Sequence, residues 1–467
     1  MTMLSGGLER DTIAAIATPS GRGGVSIIRL SGPEAHSIAN QIAEKSLQAR
    51  TPTVSSFRDA KGDIVDEGLS LVFNGPASFT GEDVAELHGH GGVVVTQLLL
   101  QACLDRGARL ARPGEFSERA FLNNKLDLTQ AESLADLIDA RTEQAARQAS
   151  ASLRGVFSSS VNALNEKFIS LRVYVEAAID FPEEDIDFLA EGKVSESLNA
   201  LQNELSDIVE QAQRGAMMSR GARVVLTGAP NAGKSSLLNL LAKNNVAIVT
   251  DVPGTTRDVI RESITLAGIA IDLSDTAGIR DATDAIEQEG INRARTELAD
   301  ADVIVEVIDD SELPTAGQPL PPQNCPIIRV YNKIDLSNRP AGRLPESPAT
   351  RVISEQDEAA PRSSIGIAIS AASGKGIESL EHAIVESLGM DDSASATPFS
   401  ARERHVDCLK KAHTLLNNAT DRFIATGAGE LLAEDLRDVH HTLSTITGEF
   451  GSDDLLGEIF SSFCIGK

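Results

Sequence analysis

Eight consecutive residues near the middle of the chain have the types and spacing of a phosphate-binding loop. They are Gly228-Ala229-Pro230-Asn231-Ala232-Gly233-Lys234-Ser235, and they lie between the apolar run Val224–Leu226 and an apolar helical run that starts at Leu237. Glycines allow backbone amides to close around phosphate oxygens, and the N-terminus of the following helix adds positive potential. We expect Lys234 to reach the β- and γ-phosphates and the Ser235 hydroxyl to ligate Mg²⁺.

Later motifs indicate which nucleotide binds. Asp275-Thr276-Ala277-Gly278 and Asn332-Lys333-Ile334-Asp335 each end an apolar run. The first motif predicts a carboxylate near the Mg²⁺ shell and an amide that contacts the γ-phosphate. Asp335 can accept hydrogen bonds from the ring N–H and the amino group of guanine, and such a match discriminates by ~10⁴-fold or more. Ser370-Ala371-Ala372 lies where a last loop could contact the guanine carbonyl. The sequence therefore predicts a GTP site.

The segment Thr250–Asp258 is expected to contribute a threonine that ligates Mg²⁺ and orders the loop around the γ-phosphate. We assign that role to Thr256. Ile279 follows the Asp275 motif, where Ras-like proteins have a glutamine that orients the attacking water. Isoleucine cannot do this, so either hydrolysis is very slow or water positioning comes from elsewhere. The predicted GTP-binding residues are Asn231, Ala232, Gly233, Lys234, Ser235, Ser236, Thr250, Thr255, Thr256, Asp275, Thr276, Ala277, Gly278, Asn332, Lys333, Asp335, Ser370, Ala371 and Ala372.

Composition restricts the class of protein. The 467 residues are 41% hydrophobic and 24% charged, which fits a soluble globular chain of about three domains. We expect no membrane span and no signal peptide, because neither apolar pattern occurs. Four distant cysteines without a CxxC pair favour a reducing cytoplasm. The net charge is −26, so any nucleic-acid contact must be local, shape-based or shared with a partner.

The pattern of apolar and β-branched residues changes along the chain. Residues 1–124 mix short β-like runs with Gly-rich turns, which predicts an α+β domain. Residues 125–218 and 390–467 carry apolar residues at alternating spacings of three and four, which predicts a helical domain in two parts. In residues 219–389, β-branched runs alternate with helical stretches, as in a parallel α/β sheet. The predicted fold class is multidomain α/β plus α, with a Ras-like P-loop GTPase domain inserted in the central helical domain.

Several motifs together resemble one family, the tRNA-modification GTPases MnmE, also called TrmE. They are Asn231, the run Asp251–Asp258, Ile279 and the C-terminal run Phe463–Lys467, which is the most specific. The resemblance covers essentially the whole chain. It also includes Ala17–Pro19, Gly21–Gly24, Ser78–Asp83, Arg112–Phe121 and Glu176–Pro182.

This resemblance implies a homodimer that works with a flavoprotein partner of the MnmG (GidA) type, in a heterotetramer or a larger assembly, with FAD on the partner. The pair would add a carboxymethylaminomethyl or other aminomethyl group to carbon-5 of the wobble uridine of certain tRNAs. A reduced folate, 5-formyl- or methylene-tetrahydrofolate, would be the one-carbon donor. The enzyme would be cytoplasmic and would not bind a membrane.

The resemblance also implies a potassium-dependent GTPase whose domains dimerise face to face. K⁺ would be bound by the Asn231 side chain and by Thr250, Val252 and Thr255, near the position of an arginine finger, which is worth ~10³–10⁵ in rate. Glu287 matches the family's acidic residue that positions water. From the residues alone, Glu287 would be interpreted as a solvent-exposed carboxylate on the surface of a helix.

The N-terminal domain is, by the same resemblance, a folate-binding and dimerisation domain. Arg29, Glu86 and Lys125 match folate-contacting positions, and Lys467 lies in the tail that approaches them. Arginine and lysine suit folate carboxylates, and Glu86 suits the pterin ring. Without the resemblance these are ordinary exposed charges.

Other residues leave alternatives open. Cys464 is assigned a catalytic role as a near-terminal thiol, although a lone cysteine is more often an inert hydrophobe. His88 and His90 form an HxH pair without an evident third ligand, and we predict loop histidines. Segments 311–326 and 337–363 are predicted surface loops.

A regulatory GTPase of ribosome assembly is the alternative function. Era- and EngA-like proteins share the asparagine of the phosphate loop and the hydrophobic residue after the Asp275 motif. They would carry a basic RNA-binding appendage or a second GTPase domain, and neither is visible in this sequence. The acidic balance also disfavours stable rRNA binding.

Overall fold

The computed structural model describes residues 11–180, 193–244, 261–275, 296–312, 325–345, 365–390, 398–449, 453–461, 463 and 466. The chain divides into two compact units. Unit 1 comprises the described residues of Met1–Ala135, Val161–Glu166 and Arg437–Lys467, and unit 2 comprises those of Asp136–Ser160 and Lys167–Leu436.

The first part of the chain forms a sheet with helices. The elements are β1 (Ile13–Ile16), β2 (Ser26–Ser31), α1 (Ala35–Ala43), β3 (Thr53–Arg58), β4 (Ile64–Phe73), β5 (Val84–Gly89), α2 (Val93–Leu104), β6 (Arg109–Leu110), α3 (Glu115–Leu122) and α4 (Leu128–Asp139). The strand order is β3-β4-β5-β2-β1-β6. All neighbouring pairs are antiparallel except β1 and β6.

Strand β2 shows how this sheet positions its polar side chains. Burial alternates along the strand, with Ile28 and Leu30 fully buried in the core of unit 1 and Arg29 half-buried between them. Successive side chains of a strand point to opposite faces. Arg29 pairs in register with Glu86 of β5, so the two charged side chains share the face opposite the core.

Long helices dominate the next part of the chain and its last part. They are α5 (Glu143–Leu153), α6 (Val156–Asp180) and α7 (Lys193–Arg220), and, after the second sheet, α11 (Glu403–Thr426), α12 (Gly429–Thr447) and α13 (Asp453–Ser461). The predicted stripes are confirmed as buried faces of α6 and α12. Their members are Phe157, Val161, Leu164, Phe168, Leu171 and Val175 in α6, and Leu432, Leu436, Val439, Leu443 and Ile446 in α12.

Unit 2 contains the second sheet. Its elements are β7 (Ala222–Gly228), α8 (Lys234–Asn244), β8 (Arg261–Leu266), β9 (Ile269–Asp275), β10 (Val303–Asp309), β11 (Ile327–Asn332), α9 (Ile334–Ser337), β12 (Gly342–Arg343), β13 (Ile365–Ala368) and α10 (Ile377–Ser387). The strand order is β12-β13-β11-β10-β7-β9-β8. Strands β9, β7, β10, β11 and β13 are parallel.

Two edge strands differ from the prediction of a parallel sheet. β8 is antiparallel to β9, and β12 is antiparallel to β13. Part of segment 337–363 is therefore strand rather than loop, because Gly342 and Arg343 pair with Ala368 and Ile367. Both differences lie at sheet edges. Strand β12 has only two residues and therefore leaves little pattern in the sequence. In the ranges that the structure describes, no helix is both long and apolar enough to cross a bilayer.

Candidate functional site

The predicted GTP-binding motifs meet at one edge of the second sheet. Strand β7 ends at Gly228, β9 at Asp275 and β11 at Asn332. Register places Gly228 beside Val307 of β10, and Asp275 beside Leu226. The strands are parallel, so their carboxyl ends lie together, which is where ligands bind in open α/β sheets.

The backbone conformation requires glycine at two positions of the phosphate loop. Gly228 has φ +141°, and a Cβ there would lie 2.1 Å from the carbonyl oxygen of Val307. Gly233 has φ +95°, and a Cβ there would lie 2.2 Å from Nδ2 of Asn332. Only glycine adopts these angles without a clash. The glycine pattern thus reflects close packing of the loop against β10 and the Asn332 motif.

Helix α8 begins at Lys234 and presents the lysine and serine of the motif. Lys234 is 4% exposed, and its Nζ donates to the carbonyl oxygens of Gly228 at 3.0 Å and Ala229 at 2.8 Å. The ammonium group therefore lies inside the loop. Ser235 Oγ donates to Oδ2 of Asp275 at 3.1 Å. The two motifs predicted to organise Mg²⁺ are therefore in contact.

Asn332 links three motifs. Its Nδ2 donates to the carbonyl of Ala232 at 2.9 Å, and its Oδ1 accepts from the backbone N–H of Ala371 at 2.9 Å. The residue is 2% exposed. We predicted Asn332 as a GTP-binding residue, and its described contacts join the phosphate loop to the Ser370 loop.

Asp309 is a residue of this site that the sequence reasoning missed. It ends β10 beside Asn332, and the Nζ of Lys333 forms a short ion pair with its carboxylate. Burial tends to raise the pKa of Asp309, but hydrogen bonds from Lys333 and Ser311 outweigh it and hold the pKa below its ordinary value. The sequence feature that could have identified Asp309 is the acidic pair Asp309-Asp310, which directly follows the apolar run Val303–Ile308.

The remaining predicted residues of the described part occupy the same edge. Asn231 is exposed and has φ +63°, a left-handed conformation that asparagine tolerates. Ser236 and Asp335 are exposed on the first turns of α8 and α9. Ser370 is fully buried, and its backbone N–H donates to the carbonyl of Lys375. Ala372 follows it, exposed.

Eleven of the sequence-predicted residues lie outside the described residues. They are Thr250, Val252, Thr255, Thr256, Thr276, Ala277, Gly278, Ile279, Glu287, Cys464 and Lys467. Their assignments remain predictions.

A second polar cluster lies on the first sheet, in unit 1. Nε of Arg29 donates to Oε1 of Glu86 at 2.9 Å, and the ring of His88 contacts Oε2 of Glu86 at 3.0 Å. The guanidinium carbon of Arg29 lies 5.6 Å from the ring centroid of Phe79 and 6.0 Å from that of Phe116. The hydrogen bond from His88 lowers the pKa of Glu86, burial opposes this, and Arg29 lowers it further, so the net shift is downward. The cluster therefore holds an ionised, half-buried carboxylate between two cationic or polar groups and two aromatic rings.

The loop between β4 and β5 connects this cluster to Lys125. Nζ of Lys125 donates to the carbonyl of Pro76 at 2.9 Å, and Phe79 of the same loop contacts Arg29. Phe79 and Phe116 were not identified as site residues from the sequence, and His88 was not predicted to contact Glu86. Their signal was weak, because the contact partners are separated by many residues.

The prediction for the HxH pair is wrong for His88, which lies within strand β5. His90 follows the strand, and its Nδ1 lies 2.7 Å from Oδ1 of Asp66. Burial tends to raise the pKa of Asp66, but the backbone and ring of His90 outweigh it, and the net shift is downward. Within the described ranges, no group of three or more His, Cys, Asp or Glu is placed to hold a metal ion.

Two residues of the C-terminal tail are described, and both pack within unit 1. Phe463 is buried with Leu128 and Phe460. Gly466 has φ +96°, and a Cβ there would lie 2.2 Å from the carbonyl oxygen of Ile16. Ile16 pairs with Ile28, the neighbour of Arg29. Gly466 thus lies against the strand next to the one that carries Arg29.

Comparison with known proteins covers nearly the whole chain. The family described as MnmE helical domain matches residues 128–464, and the family described as GTP-binding protein TrmE N-terminus matches residues 12–125. A tRNA modification GTPase MnmE of Pseudomonas aeruginosa is 51% identical over 466 residues, covering 98% of this chain and 99% of the relative. A protein of the same description from Stutzerimonas stutzeri is 50% identical over 467 residues, with coverage of 98% and 99%.

The G domain of the T. maritima FeoB iron transporter is 23% identical over 36% of this chain and 98% of that structure, with a TM-score of 0.23. The two family matches, with the sheets and helices described above, confirm the predicted fold class of α/β plus α.

Proposed function

Because the chain belongs to the MnmE (TrmE) family of tRNA modification GTPases, we propose that it hydrolyses GTP and acts in the modification of tRNA. One observation supports this proposal most strongly. Four residues lie together at the carboxyl edge of the second sheet: Lys234, Ser235, Asp275 and Asn332. Lys234 neutralises charge on the β- and γ-phosphates from inside the loop. Asp335, exposed on α9, reads the base.

The oxygen donors beside the phosphate loop suit Mg²⁺, which prefers hard oxygen ligands. Ser235 and Thr256 would hold the ion, with Asp275 hydrogen-bonded to Ser235. When bound, Mg²⁺ would supply positive charge that offsets the charge developing on the phosphates.

Hydrolysis depends, in this proposal, on K⁺ and on Glu287. Asn231, Thr250, Val252 and Thr255 would hold K⁺, which supplies positive charge near the phosphates when bound. Glu287 would position the attacking water, since Ile279 replaces the glutamine of Ras-like proteins. The exposure of Asn231 supports this assignment, because it leaves the side chain accessible to an ion.

The site for reduced folate is proposed at the cluster of Arg29 and Glu86, with Lys125 and Lys467. Glu86 would accept hydrogen bonds from the pterin through lone pairs not used by Arg29 and His88, and Arg29, which bonds to Glu86, would orient that carboxylate. The lysines would pair with the folate carboxylates at the other end of the molecule. Phe79 and Phe116 add apolar surface suited to a flat heterocycle. The packing of Gly466 against Ile16, on the strand beside that of Arg29, supports the assignment of Cys464 and Lys467 to this site.

The reaction proposed is addition of a carboxymethylaminomethyl or other aminomethyl group to carbon-5 of the wobble uridine. The chain would act as a homodimer in the cytoplasm, with an MnmG-type flavoprotein that carries FAD. The acidic net charge of −26 favours a complex in which the partner contributes much of the tRNA contact.

Nucleoside analysis of tRNA tests this function. Cells that lack the protein should lose the modified wobble uridine, and re-expression of the chain should restore it. Normal wobble uridines in the deletion strain would defeat the proposal. Normal uridines together with accumulation of ribosomal precursors would favour the ribosome-assembly alternative.

A further inference from the structure

A carboxylate outside the predicted motifs holds the turn that carries Asp335. Asp310 follows β10 directly, and its side chain is 5% exposed. Nε of Arg339 donates to Oδ2 of Asp310 at 2.8 Å, and Nη2 of Arg339 lies 2.8 Å from Oδ1. The hydroxyl of Ser337 donates to the same Oδ2 atom. Three donor atoms from two residues beyond Asp335 therefore converge on one carboxylate.

Asp310 also contacts the chain before Asp335. Its backbone N–H donates to the carbonyl of Asn332 at 2.8 Å. The segment from Asn332 to Arg339 is thus fixed to one residue near both ends. The Arg339 guanidinium carbon also lies 5.2 Å from the ring centroid of Tyr331. Arg339, at the end of the segment, therefore contacts the residue that directly precedes the segment.

The turn itself needs such support. Helix α9 is four residues long, and left-handed residues flank it, Lys333 with φ +67° and Asn338 with φ +57°. A single helical turn fixes many dihedral angles with few hydrogen bonds, so it is unfavourable in isolation. The orientation of Asp335 within it therefore depends on contacts made from outside the turn.

The contact differs from an ordinary surface ion pair. Exposed pairs contribute little to stability, whereas the Asp310 carboxylate is nearly buried and accepts bidentate bonds from Arg339. Its hydrogen bonds raise the pKa of Arg339 despite some burial of the guanidinium. Charge-assisted bidentate pairs add geometric precision as well as energy.

We propose that Asp310 is a specificity-determining positioning residue, which orients Asp335 toward the edge of the base and so sharpens the preference for guanine over hypoxanthine. The proposal rests on the assignment of Asp335 as the base-reading carboxylate. Guanine carries an exocyclic amino group that hypoxanthine lacks, and a correctly oriented carboxylate accepts from both the ring N–H and this group. A tilted carboxylate loses the second bond, so GDP loses more affinity than IDP.

The test compares GDP and IDP binding by the full-length chain. Asp310→Asn and Ser337→Ala should reduce the ratio of the IDP Kd to the GDP Kd by about tenfold and about threefold, since a tenfold change corresponds to about 1.4 kcal/mol. Arg343→Ala is the matched control, because it breaks a bidentate, exposed pair with Glu386 in the same sheet region. The control should leave the ratio unchanged.

A merely structural role would weaken GDP and IDP binding equally, and an unchanged ratio in folded Asp310→Asn would overturn the proposal. If Asp310→Asn does not fold, Ser337→Ala decides by the same criterion. Asp335→Asn separates the two assignments. A reduced ratio there, with no change in the Asp310 and Ser337 variants, refutes only the positioning role. An unchanged ratio in Asp335→Asn refutes the base-reading assignment itself.

Discussion

Ser235 Oγ lies 3.1 Å from Oδ2 of Asp275, although 40 residues separate them in sequence. The contact joins the first turn of α8 to the end of β9. It exists because β7 and β9 are parallel neighbours whose carboxyl ends coincide. The pair defines where a hard cation beside the phosphates would meet the protein.

Removal of the Ser235 hydroxyl should weaken Mg²⁺-dependent nucleotide binding. Ser235→Ala is expected to raise the GTP Kd in Mg²⁺ by roughly 10–100-fold, because a lost bond to a charged group costs about 1.5–3 kcal/mol. Binding in EDTA should change little. Fluorescent GTP titrations with and without Mg²⁺ measure both values. Asn239→Ala, exposed on α8, is the control, and an equal loss in EDTA would refute a metal-linked role.

Truncation of Asn332 should destabilise the site rather than only the bound nucleotide. Asn332→Ala leaves the carbonyl of Ala232 and the N–H of Ala371 without this partner. Unsatisfied buried groups cost about 1–3 kcal/mol each. We expect a lower unfolding midpoint in urea without nucleotide, together with weaker GDP binding. If Asn332→Ala without nucleotide unfolds at the same urea concentration as the wild type, Asn332 does not stabilise the site.

The strands that carry the motifs of the second sheet could be predicted from the sequence because each apolar run is a local pattern. The spacing of Gly228, Gly233, Lys234 and Ser235 depends on one loop, and most residues of the apolar runs that became β7, β9, β10 and β11 are buried. Buried parallel strands give continuous apolar runs. Their pattern is therefore visible without the structure.

Contacts between distant residues could not be read from the sequence. Asp309 and Asp310 matter through Lys333, Ser337 and Arg339, and no spacing rule relates these positions. The partners of Arg29 come from β5, from a loop and from α3. Strand register, which brings Arg29 opposite Glu86, is a tertiary property. The edge strand β12 was missed because two residues carry no periodicity.

Turnover should depend on the monovalent cation through Asn231. Replacement of Na⁺ by K⁺ is expected to raise the wild-type kcat for GTP about tenfold or more, because K⁺ would supply part of the positive charge that an arginine finger supplies in other GTPases. Asn231→Ala should remove most of this difference. Phosphate release in matched KCl and NaCl buffers is the measurement, and Asn244→Ala, exposed at the end of α8, serves as control. Equal wild-type rates in both salts would refute the K⁺ assignment.

The ionised state of Glu86 should contribute to stability at neutral pH. Its pKa is below the ordinary value of 4.5, first because of the hydrogen bond from His88. The contribution is therefore complete above pH 4.5 and is lost as pH falls through the lowered folded value. Glu86→Gln should destabilise unit 1 more at pH 7 than near pH 4, as measured by urea unfolding.

Glu67→Gln, on the exposed side of β4, provides the comparison and should destabilise unit 1 less than Glu86→Gln does at pH 7. A stability difference for Glu86→Gln that is the same at both pH values would show that the carboxylate is not held ionised by Arg29 and His88.

GTP turnover by Lys234→Ala tests the central claim most directly. Lys234 lies inside the phosphate loop, and Lys243 lies exposed on the same helix. In saturating K⁺ and Mg²⁺, Lys234→Ala should lower kcat/KM for GTP by about 10²-fold, since it removes charge-assisted bonds worth about 1.5–3 kcal/mol. Lys243→Ala should stay within about twofold of wild type, inside the range of ordinary surface substitutions. Equal turnover by folded wild type and Lys234→Ala would contradict a GTPase site at this edge of the sheet.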